Sequence, residues 1–170
     1  MPRPIVLYVR YVEAVNRLIG RLAMFIIFAM MGVLLMSSVS RTALNISFIW
    51  TVEMAQFMLA AYYLLGGGYS MQLDSHVRMD LLYSRWSPKG QALADTITSV
   101  FLIFYLVVLL IGAVSSTNYA ITYGQKNYSS WAPPLSPIKI IMTTGIAMML
   151  LQAIAMFFRD MATVRGERLE

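Results

Sequence analysis

Cysteine is absent from the 170 residues. That absence excludes disulfides, thiolate metal sites, iron–sulfur clusters and cysteine nucleophiles together. Histidine occurs once, at His76, so one chain can build neither a bis-histidine haem nor a multi-histidine metal site. Charge is scarce as well: 12% of the residues are Asp, Glu, Lys or Arg, about half the share of an ordinary soluble domain. No G-x-S-x-G, Walker A, H-E-x-x-H or dinucleotide fingerprint is found. These absences point away from an enzyme, a resident cofactor or a metal centre.

Apolar residues fill the space, at 59% of the chain, and mean hydropathy is +0.67. They fall in blocks. Residues 22–39, 54–73, 97–116 and 140–158 contain no Asp, Glu, Lys, Arg or His. Each is long enough to cross the hydrocarbon core as a helix, which takes about 18–20 residues. The expected fold is therefore an all-α integral membrane protein with four transmembrane helices in one membrane domain. Within the spans the strongly polar side chains are Gln56, Gln72 and Gln152, each able to bond a neighbouring helix.

Orientation follows from the basic residues. Arg3, Arg10, Arg17, Arg21, Arg78, Arg85, Lys89, Arg159, Arg165 and Arg168 share one side, against Arg41, Lys126 and Lys139 on the other. Both termini are thus expected in the cytoplasm of a cell with an inner membrane. The net charge of +5 reflects this asymmetry rather than a nucleic-acid surface. The first span reads as uncleaved. Its basic leader is about 21 residues long, its apolar run exceeds that of a signal peptide, and Ser38-Val39-Ser40 is a poor cleavage site.

Two stretches, about 4–17 and 77–87, have amphipathic spacing. Tyr8, Val9, Val12 and Val15 face one way in the first, and Met79, Leu82, Tyr83 and Trp86 in the second. Each suits either a short interfacial helix or the extension of a neighbouring span. Ser87-Pro88 and Ser136-Pro137 read as an N-cap followed by proline in the first turn. Trp50, Trp86 and Trp131 stand beside span ends, where interfacial tryptophans belong. Gly66 with Ser70 and Gly112 with Ser116 have the four-residue spacing of close helix contacts.

Chemistry-bearing residues are few. Glu53 precedes the second span and Arg41 follows the first, so an ion pair between them is expected. A carboxylate there also suits the positive end of a helix. Its functional reading is an ion or substrate ligand. Asp74, His76, Arg78 and Asp80 cluster after the second span, with no strong metal-binding spacing. The spans carry no proline and no charged group, so they lack the usual route of a self-sufficient carrier.

Three blocks resemble the small, DctQ-like membrane subunit of tripartite ATP-independent periplasmic (TRAP) transporters. They are Arg41 followed by Trp50-Thr51-Val52-Glu53; His76-Val77-Arg78-Met79-Asp80; and Ser130-Trp131-Ala132-Pro133-Pro134-Leu135-Ser136-Pro137 ahead of a span holding Gln152. Met54 departs from the pattern, since many members carry a second acid after Glu53. The resemblance implies a non-catalytic small permease, one part of a secondary symporter in the bacterial inner membrane. Its implied partners are a large DctM-like membrane subunit, a periplasmic solute-binding protein and membrane lipids, with no nucleic acid. Sodium is implied in the large subunit, and organic acids or similar small solutes as cargo. The site residues it implies are structural or subunit contacts: Arg41, Trp50 and Glu53; His76, Arg78 and Asp80; Trp131, Pro133 and Pro134. The alternative is an autonomous small four-helix transporter that uses Glu53.

Overall fold

The computed structural model describes residues 3–73 and 88–164. The stretch 77–87 and the candidates His76, Arg78 and Asp80 lie outside the described residues. Four helices account for nearly everything described: α1 (Arg3–Leu44), α2 (Trp50–Gln72), α3 (Pro88–Thr122) and α4 (Ser136–Val164). Among the described residues no strand forms beyond one isolated antiparallel bridge, Lys126 with Pro134.

Among the described residues three helices are long and apolar enough to cross a membrane: α1, α3 from Leu93 onward, and α4. α2 has 23 residues and so the necessary length. Gln56, three consecutive glycines and Tyr62, Tyr63 and Tyr69 lower its apolarity. Its position offsets this, because α2 packs against both α1 and α4.

The amphipathic stretch 4–17 is not a separate interfacial helix. It is the first third of α1, a single helix of 42 residues and about 63 Å at 1.5 Å per residue. No proline or glycine interrupts the passage from Arg10 to Leu18, so nothing breaks the helix there. The apolar face folds onto α4 instead of onto lipid. Val9 and Val12 are buried against Ala155, flanked by Ile5, Tyr8 and Phe158. The Tyr8 and Phe158 rings meet edge to face at 6.5 Å. Asn16, not Val15, continues the buried row through Gly20 to Ala23.

α4 is the centre of the bundle, touching α1, α2 and α3. Small residues on its inner face, Gly145, Ala153, Ala155 and Ala162, let the neighbours approach closely. A second core joins Met71 of α2, Leu106 of α3 and Ala153 of α4.

The glycine contacts differ from those expected. A methyl group on Gly66 or Gly112 would meet nothing within 4 Å. The close approaches are elsewhere. A Cβ on Gly145 would stand 2.7 Å from the Leu64 carbonyl oxygen, and one on Gly68 would stand 2.5 Å from Asn16 Oδ1. Gly20 faces Tyr69 with no room for any side chain. The four-residue spacing was present at Gly66 and Gly112, but a methyl group at either would touch no neighbouring helix.

Candidate functional site

Two polar constellations hold the bundle, one near each end. At the end bearing the N terminus, three amides converge from three helices. Asn16 Nδ2 donates to Gln152 Oε1 at 3.0 Å. Gln72 Nε2 donates to the same oxygen at 3.0 Å and to the Glu13 carbonyl at 2.9 Å. Asn16 and Gln152 are each 1% exposed. Such amides are costly to bury unless bonded, which is why they find one another across α1, α2 and α4. Asn16 Oδ1 and Gln152 Nε2 have no hydrogen-bond partner. The missing side chain of Gly68 is what lets Asn16 Oδ1 lie against α2. Tyr8 donates its hydroxyl to the Leu151 carbonyl at 3.1 Å, and burial pushes the Tyr8 phenol above its ordinary value. Just beyond, Arg159 pairs with Glu13 at 3.7 Å.

At the opposite end, the α3–α4 connection forms a small clasp. Asn127 N–H donates to the Pro133 carbonyl at 2.9 Å, and Leu135 N–H to the Gln125 carbonyl at 2.9 Å. Between these bonds stand Lys126 and Pro134, a position where the missing proline N–H is not needed. Ala132 closes the turn with φ 47°, and its N–H reaches the Ser129 carbonyl at 3.1 Å. Pro133 is buried, while Pro134 and Trp131 are exposed. Tyr123 and Tyr128 project fully or nearly so from the same loop.

The clasp is fastened to the helices at two points. Asn127 Nδ2 donates to Glu53 Oε2 at 3.2 Å, and Lys139 Nζ donates to Gln125 Oε1 at 2.7 Å. Thr117 and Thr143 bond each other at 2.8 Å across α3 and α4. Ser136 does not cap its own helix. Its hydroxyl donates to the Ala120 carbonyl at the end of α3, 3.2 Å away, while the Leu135 carbonyl accepts the first α4 bond from Lys139 at 3.1 Å.

The expected Glu53–Arg41 pair does not form. Arg41 donates instead to Ser47 Oγ at 3.3 Å. Helical geometry explains the separation. Thr51 faces α1, where its hydroxyl meets that of Ser37 at 3.0 Å. Two residues further, a helix has turned by about 200°, so Glu53 points to the α3–α4 clasp. Trp50 opens α2 and packs its ring beside Phe48 at 6.2 Å. Asn16, Asn127 and Gln125 were not singled out from the sequence, and Lys139 only as a loop charge. Asn16 was detectable, since it continues the phase of Val9 and Val12.

Among the described residues no group of three His, Asp or Glu side chains is placed to hold a metal. The buried polar groups bind helix to helix. Apolar helices of bilayer length joined in this way define a polytopic helical membrane protein. A family model, that of the DctQ component of tripartite ATP-independent periplasmic transporters, matches residues 30–163. The chain belongs to this family, a transporter component and not a known enzyme family. No curated protein matches the sequence significantly.

Proposed function

We propose that this chain is the small, non-catalytic permease subunit of a TRAP-type symporter, with four transmembrane helices and both termini in the cytoplasm. It braces the large transport subunit and offers part of the docking surface for a periplasmic solute-binding protein. α2 serves as the fourth span, packed between α1 and α4, with Gln72 bonded to both.

One observation carries this reading. The amides of Asn16, Gln72 and Gln152 bond helix to helix, and among the described residues no charged side chain is buried with them. A carrier needs groups that exchange partners with its cargo. A brace needs groups that stay bonded to the protein. Glu53 is held by Asn127 at the mouth of the bundle rather than within it, which fits a fastening role. The exposed aromatic side chains of the clasp, Tyr123, Tyr128 and Trp131, have the character of interface anchors. The inner-membrane location, sodium coupling and organic-acid cargo in this reading come from the family.

Reconstitution tests it. Proteoliposomes holding the large subunit and the binding protein, without this chain, should lose most sodium-driven uptake. Full uptake in that preparation would remove the assignment. Uptake by this chain alone would favour an autonomous carrier.

A further inference from the structure

A groove runs along the outside of the bundle between α1 and α2, near the amide cluster. Its walls are Gly20 and Met24 of α1 and Tyr62, Tyr63, Gly66 and Ser70 of α2, enclosing about 310 Å³. That volume is at the small end for ligand pockets, enough for part of one amphiphile and too little for a bundle helix. Gly66 forms the open floor, with nothing within 4 Å of where its side chain would be. Tyrosine and serine hydroxyls supply hydrogen-bond donors beside apolar surface.

Charge marks one end of this groove. Arg17 precedes Gly20 by three residues and Arg21 precedes Met24 by three, so each lies one turn below a groove residue on the same helix face. Both arginines are exposed. Long side chains on a helix lean toward its N terminus, which carries these guanidinium groups toward the end of the bundle where α1 leaves the apolar layer. Among the described residues no acid lines the groove. Glu13, the acid preceding them on α1, is paired with Arg159.

We propose that the α1–α2 groove holds one anionic phospholipid, its acyl chain over Gly66 and its phosphate between Arg17 and Arg21. Basic pockets between membrane helices favour anionic headgroups by charge. Guanidinium groups add paired hydrogen bonds to phosphate oxygens. The proposal rests on membrane residence and the groove, not on the bracing role.

Native mass spectrometry of the full chain tests it, with palmitoyl-oleoyl phosphatidylglycerol offered against the phosphatidylcholine of the same acyl chains. The wild type should retain the phosphatidylglycerol roughly tenfold better, and R17Q/R21Q should lose most of that preference. R17K/R21K should keep it in part, and R3Q, which removes a charge far from the groove, should keep all of it. G66L starts from a Cβ with open space around it and fills the floor, so it should weaken retention of both lipids; a free phosphate site would ignore it. A preference unchanged in R17Q/R21Q overturns the proposal. So does a cross-link from position 24 or 66 to the large subunit in the assembled complex, which would give the groove to a protein partner.

Discussion

Gln152 Oε1 gathers two donors from two other helices, so a single substitution tests the whole cluster. Gln152→Leu would leave the Asn16 and Gln72 amides short of an acceptor in a buried place. Interhelical bonds in membranes are individually modest, but stranded donors add their own penalty, so the loss should be about 1–3 kcal/mol. An unfolding titration of the purified chain in denaturing detergent measures it, and an unshifted midpoint would deny the cluster its role. Tyr8 gives a pH signature. Its phenol, ordinarily near 10.0, is raised by burial, so the folded state favours the neutral form. That contribution is fully present below pH 10 and is lost as pH rises through the elevated value. Tyr8→Phe should flatten the alkaline limb of the stability profile. Ala132 sits at φ 47°, where a Cβ costs about 1–2 kcal/mol. Ala132→Gly relieves that strain while loosening the unfolded chain, leaving a net gain of about 0.5 kcal/mol. Thermal denaturation checks the sign.

Between helices, the glycines separate into two kinds. Gly145→Ala would drive a methyl group into the Leu64 carbonyl and should destabilise the bundle by about 1–3 kcal/mol. Gly112→Ala meets open space and should be neutral or slightly stabilising through helix propensity. The reverse order of melting temperatures would contradict this packing. The helix positions were legible in the sequence because charge is excluded from hydrocarbon and the four blocks exclude it. The two glutamines that bond across helices were legible for the same reason. The outward placement of Gln56 was not, because spacing alone does not say which face of α2 meets a neighbour. Nor was the unbroken course of α1, since amphipathic spacing suits a lipid surface and an α4 surface equally. The Glu53–Asn127 fastening joins residues 74 positions apart, a separation that no local pattern reveals.

For the molecule as a whole, the absence of cysteine makes the native chain a ready background for topology. Tyr128→Cys should react with an impermeant maleimide added to intact spheroplasts, and Leu7→Cys only after the membrane is opened. Labelling of both from one side would refute the proposed orientation. The central position of α4 also bears on how the chain is made. Of the four helices α4 is synthesised last, yet it packs against each of the others. Until it arrives, the Asn16 and Gln72 amides lack their shared acceptor and α3 lacks its main neighbour. The α1–α2 and α3–α4 hairpins can each close as they are delivered, but the bundle as a whole cannot. The earlier helices must wait in the insertion machinery or in lipid, and a nascent chain that stops short of Ser136 would leave unfinished surfaces for a quality-control protease to recognise.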